Sequence, residues 1–68
     1  MNVNGLTLPD AWLERLSIVE VTQCQMGHDV VVVQDSSDGS LSRVHRGNAN
    51  PYDFADLYAC AYWNGDIS

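Results

Sequence analysis

The chain is 68 residues long, with nine Asp and Glu against three Arg, no Lys, and a formal net charge of −6. A surface this anionic repels nucleic-acid phosphates and anionic membranes and favours a cationic partner, within a reach of about one Debye length, ~8 Å in physiological salt. The apolar content of 46% excludes a disordered acidic tail, although a single domain of this size buries only about 60% of the surface its unfolded chain exposes.

Met1-Asn2-Val3-Asn4-Gly5 has neither a positive n-region nor an apolar h-region, and no run approaches the ~18 apolar residues of a membrane span. The expected setting is cytoplasmic and reducing. There Cys24 and Cys60, both inside apolar stretches, act as small buried hydrophobes, with a single disulfide open to them only on export.

Pro9 suits the first turn of a helix, because its missing N–H has no partner there. The helix is expected to run to about Leu16, with Leu8, Trp12, Leu13 and Leu16 on one side and Asp10 and Glu14 on the other. From Ser17 the pattern turns β-branched, and Ile18, Val19, Val21 and Thr22 predict a strand to about Met26. Gly27-His28 reads as a two-residue hairpin turn. Residues 30–33, four consecutive valines, predict a central strand covered on both faces. A loop over residues 35–40 leads to a third, more polar edge strand over residues 41–46. Asn50-Pro51 is a capping signal for a second helix to about Trp63, with Phe54, Leu57, Tyr58 and Ala61 facing inward and Tyr52, Asp56, Ala59 and Trp63 opposite. Asn64-Gly65-Asp66 ends it. The expected architecture is one α+β domain over residues 1–68, a three-stranded antiparallel meander flanked by an N-terminal and a C-terminal helix. If both helices cover one face of the sheet, half of the valine strand needs cover from a homodimer or another protein.

The acidic set is Asp10, Glu14, Glu20, Asp29, Asp35, Asp38, Asp53, Asp56 and Asp66. Carboxylates spaced along a surface imitate a nucleic-acid backbone and engage the same arginines and lysines that receive phosphates. The sequence stretch around Asp53 and Asp56 is the most negative, having no basic residue after Arg46. Tyr52 and Trp63, placed to bracket Asp56, have the composition of an interface hot spot. A helix buried on two sides, or Trp63 folding back to cap the core, accounts for them equally well, because an amphipathic pattern does not fix which stripe faces in. Arg43 and Arg46, with His45 between them, form the only basic cluster and suit a solvated edge strand better than phosphate binding.

Cys24, His28, His45 and Cys60 are zinc-ligating residue types, but they lack the paired C-x2-C or H-x3-H spacing of a structural site. No metal or cofactor is therefore expected. Asp35-x-x-Asp38-Gly39 lacks the alternating ligands and distal glutamate of an EF-hand. Neither the cysteines nor Ser36, Ser37, Ser40 and Ser42 come with a glycine-flanked elbow or an orienting partner at a diagnostic spacing, so the expectation is a protein that is not an enzyme.

In length and charge alone, with no motif shared, the chain resembles phage-encoded anti-defence proteins of the anti-CRISPR and anti-restriction kind. The resemblance implies inhibition of a nucleic-acid-binding protein or complex by nucleic-acid mimicry. Asp35, Asp38, Asp53 and Asp56 would meet its basic surface, and Tyr52 and Trp63 would anchor the contact, with no direct binding of nucleic acid or membrane. The alternative is an accessory module that dimerises or assembles through an apolar sheet face.

Overall fold

The structure, a computed structural model, describes residues 2–3, 6–50 and 52–67. It is an α+β fold, a three-stranded antiparallel sheet with an N-terminal and a C-terminal helix. A two-stranded ladder that sequence patterning did not indicate, β1 (Asn2–Val3) and β2 (Leu6–Thr7), precedes them. Helix α1 spans Asp10–Arg15. The sheet follows in the order β3 (Leu16–Gln23), β4 (Asp29–Asp35) and β5 (Leu41–His45). A 3-10 turn at Arg46–Asn48 leads to α2, Phe54–Trp63. Among the described residues no helix is long and apolar enough to cross a membrane.

Both helices pack on the same face of the sheet. Val31, Val33 and Val44 point into it and meet Leu16 from the start of β3 and Ala55, Tyr58 and Ala59 from α2, with Trp12 and Leu13 of α1 alongside. Leu8, Leu57 and Ala61 extend the core past the other side of the same helices. α2 is thus buried more widely than a single stripe: Ala59, expected outside, is fully buried, whereas Phe54, expected inside, is half exposed and lies against Trp12 with ring centroids 4.0 Å apart. Three alanines let the helix backbone approach its neighbours closely enough to enclose that side.

The valine strand is central and covered on both faces, as its four consecutive valines predict, although both helices lie on one of those faces. Val32 points to the face without helices yet is only 4% exposed. Its ladder partners are Glu20 on β3 and Arg43 on β5, and long charged side chains can cover an apolar neighbour with their stems while keeping their heads in water. Ile18 and Val19 are adjacent in the strand, so one of them must face away from the core. A bulge between Ile18 and Glu20 resolves it: Ile18 joins the core and Val19, the extra residue, is half exposed.

The turns also differ from the pattern reading. β3 stops at Gln23, not near Met26, because the chain closes a longer turn in which the Cys24 N–H donates to the His28 carbonyl and the Gly27 N–H to the Cys24 carbonyl. Gly27 sits at φ +82°, a left-handed conformation that disfavours any side chain. α2 is capped by Asp53 and not by Asn50, and Pro51 lies outside the described residues. Asn50 instead accepts from the Tyr52 N–H in a preceding turn. At the other end, the Gly65 N–H donates to the Tyr62 carbonyl and the Asp66 N–H to the Ala61 carbonyl, closing the helix with left-handed Gly65.

Candidate functional site

An open depression of about 340 Å³ lies where the β4–β5 loop meets the start of α2, and Asp35, Tyr52 and Asp53 are among its lining residues. Local hydrogen bonds hold the carboxylates. Asp35, at the end of β4, accepts from the Ser37 N–H at 2.9 Å and the Ser37 hydroxyl at 2.7 Å. Asp38 accepts from the Ser40 N–H at 2.9 Å. Asp53 caps α2, accepting from the Ala55 N–H at 2.9 Å and the Asp56 N–H at 3.4 Å. Asp56, one turn into the helix, accepts from the Asn50 N–H and ties the preceding turn to α2.

The Ser37 hydroxyl and amide, followed by the Arg15 charge, hold the Asp35 carboxyl below the usual carboxylate range, and the Ser40 amide does the same for Asp38. Partial burial pushes Asp56 upward, and the neighbouring Asp53 charge adds to this. Asp38 acts on Asp35 and Asp53 on Asp56 through space. The four aspartates singled out in the sequence therefore form two interacting pairs, and one member of each lines the depression.

One guanidinium enters this group. Arg15 Nε lies 3.2 Å from Asp35 Oδ2, and its Cζ lies 5.3 Å from the Phe54 ring centroid, which holds the arginine between carboxylate and aromatic face. Among the described residues the other ion pair is Arg46–Asp29 at 3.3 Å, at the opposite end of the sheet. Among the described residues Asp38, Asp53 and Asp56 make no ion pair, although the Arg15 charge also acts on Asp38. Tyr52 is 85% exposed at the rim.

Trp63 is not part of this group. It ends α2, about 10 Å along the helix axis from Asp56, and packs against the main core with Arg46 over its ring at 5.9 Å. With Arg46, Ala49, Cys60 and Asn64 it lines a second depression, of about 260 Å³. Tyr52 and Trp63 thus do not bracket Asp56 on one patch.

The fold also makes a grouping that spacing argued against. Cys24, His28 and His45 come together beside the β3–β4 turn with their candidate ligand atoms all within 4.8 Å of one another. Cys60 is on α2, and no disulfide joins it to Cys24. The signal was present in the residue types but not in their separation, because strand register supplies His45, whose ladder partner is Val30.

Neither a protein-family model, a curated protein nor a solved structure matches this chain.

Proposed function

We propose that this protein is a non-enzymatic binding protein that inhibits a nucleic-acid-binding protein or complex by presenting carboxylates where that partner receives phosphates. The observation that supports it is the convergence of Asp35 and Asp53 on one depression, with Asp38 and Asp56 beside them and a single guanidinium to offset four carboxylates. An open depression of about 340 Å³ is at the small end of ligand pockets, which span ~300–1,000 Å³. It suits one cationic side chain inserted from a partner better than an enclosed substrate. Charge-assisted hydrogen bonds from an arginine to Asp35 and Asp53 would be its main contacts. Tyr52, exposed at the rim, offers a rigid aromatic face for the stem of that side chain.

The alternative, assembly through the sheet face without helices, has less behind it. Val32 is already covered there, and the face carries Glu20, Thr22, Arg43 and His45 in register with it and with Val30.

The test is capture of binding partners from the native host at low salt, followed by competition with DNA or RNA. The expected partner binds nucleic acid, is displaced by it, and loses affinity steeply with salt, as interactions between charged surfaces do. The triple variant Asp35→Asn, Asp38→Asn, Asp53→Asn should lose at least about tenfold in affinity, the equivalent of ~1.4 kcal/mol. Salt-insensitive binding, or a triple variant that binds as the parent does, argues for another role. A concentration-dependent dimer unaffected by these substitutions would favour assembly.

A further inference from the structure

We infer that Cys24, His28 and His45 form a three-ligand site for a zinc ion at the β3–β4 end of the sheet. Three separate features of the fold build it. The turn in which Cys24 N–H donates to the His28 carbonyl at 3.0 Å holds those two residues opposite each other as the ends of a closed loop. Antiparallel pairing of β4 and β5 then carries His45 alongside Val30, next to that loop. His45 Nε2 lies 3.0 Å from Cys24 Sγ, and the rings of His28 and His45 meet edge to face with centroids 4.9 Å apart. The Gly47 backbone backs both rings: a Cβ there would lie 3.6 Å from His45 and 3.7 Å from His28 Nδ1.

The spacing suits a tetrahedral ion. Zinc bonds of about 2.0–2.1 Å to nitrogen and about 2.3 Å to sulfur imply ligand-to-ligand distances of roughly 3.3–3.6 Å. The 3.0 Å sulfur–nitrogen contact needs to open by about half an ångström to reach that range, and the widest separation, up to 4.8 Å, needs to close by roughly 1.2–1.5 Å. His28 is exposed at the turn and Cys24 and His45 are half-buried, so rotation of the His28 side chain supplies the closure without disturbing the core. One thiolate with two imidazoles is a borderline-soft donor set that selects zinc over calcium or magnesium, which prefer oxygen. Among the described residues no fourth Cys, His, Asp or Glu joins the group. The fourth position is therefore open to water or another exchangeable ligand.

The proton balance follows from the hydrogen bonds. The Gly47 N–H donates to His45 Nδ1 at 3.3 Å, so the neutral ring carries its proton on Nε2 and donates it to Cys24 Sγ. When the ion binds, the thiol proton leaves to solvent and the sulfur–zinc bond forms. The ring proton moves through solvent to Nδ1, which gives up the hydrogen bond from the Gly47 N–H and donates to solvent instead, freeing the Nε2 lone pair for the metal. One proton is released per ion bound.

Cobalt(II) is the optical probe for the site, added to the full chain in metal-free buffer and then displaced with zinc. The expected result is one ion per chain, with a thiolate-to-cobalt charge-transfer band, tetrahedral d–d bands, and loss of both when zinc is added. Cys24→Ser should abolish the charge-transfer band. His28→Ala and His45→Gln should each weaken binding on the order of 100-fold, since even changes behind metal ligands cost about 10–100-fold. His28 is exposed, so its variant keeps the test valid if Cys24→Ser fails to fold. Cys60→Ser should bind as the parent does. Absence of the bands, their survival in Cys24→Ser, their loss in Cys60→Ser, or binding of copper but neither cobalt nor zinc would overturn the assignment.

Discussion

At the β4–β5 end of the sheet, Asp35, Asp38 and Asp53 are each held by a backbone N–H two residues further along the chain. At the β3–β4 end, Cys24 and His45 meet only because two strand pairings are in register. β4 separates the two groups by about 20 Å, at ~3.3 Å per residue. The first arrangement is local: a stretch of a few residues fixes each carboxylate, and the charge stays in place provided the loop and the first turn of α2 survive. The second is global, because a slip of one residue between β4 and β5 would send His45 to the other face of the sheet. A surface for transient charge contacts tolerates the first kind of construction. A metal site needs the second, since its ligands must be held to fractions of an ångström.

One core supports both ends, and the largest expected effect tests that. Leu16 is buried, starts β3 and also lines the acidic depression. Leu16→Ala should cost about 2–5 kcal/mol, a large share of the roughly 3–10 kcal/mol that 0.05–0.15 kcal/mol per residue gives a chain of this length. Trp12 lies against Phe54 at the acidic end and Trp63 against Arg46 at the other, so single-tryptophan variants report on each separately. Urea transitions followed by the two tryptophans should coincide in the parent and shift together in Leu16→Ala. Separate transitions would mean that the ends unfold independently and that the comparison between them is one of two small units.

The same division decides what could be read from the amino-acid order. The helices, the valine strand, the loop after it and the polar third strand were legible because each depends on a run of a few residues. The settings of Asp35, Asp38 and Asp53 are equally local, since each accepts from a backbone N–H two positions away, whereas Asp56 reaches back six positions to Asn50. Trp63 stays open between an outer patch and the core, because helical spacing places side chains around an axis but does not say which flank meets a sheet; three alanines then allow α2 to be buried on more than one side. Asn50 and Asp53 are both capping residues three positions apart, and only the position of Ala55 and Asp56 within the first turn selects the second. The Cys24, His28 and His45 group was discounted because its defining distance is set across strands, where sequence spacing carries no metal signature.

Three substitutions probe how each end is built. Asp53→Ala removes the cap of α2 and should cost ~1 kcal/mol, within a range of about 0.5–2. Asp53→Asn should retain most of that stability while reducing the negative charge of the depression. At the opposite end a Cβ on Gly27 would meet nothing within 4 Å, so Gly27→Ala should cost only its backbone strain at positive φ, roughly 1–2 kcal/mol. Urea unfolding compares all three. If Asp53→Asn were as damaging as Asp53→Ala, the ionised carboxylate and not merely the capping oxygen would be required for folding.

The smallest effect concerns acid. Asp35 and Asp38 have depressed folded-state values, so whatever stability they contribute is present above the unfolded carboxylate value and is lost as pH falls through the folded one. Asp56 has the opposite sign: its charged form is disfavoured by burial and by Asp53, and that penalty disappears as pH falls through its raised value. A carboxyl NMR titration should therefore show Asp56 protonating first on acidification, with Asp35 and Asp38 following at lower pH. Ser37→Ala, which removes the largest cause of the Asp35 depression, should move Asp35 back toward its ordinary value and leave Asp56 where it was. Asp56→Asn keeps an oxygen for the Asn50 N–H and removes the repulsion with Asp53, so it should change stability by no more than about 0.5 kcal/mol. If Asp35 titrated at or above Asp56, the local hydrogen bonds would not be what holds the acidic end in place.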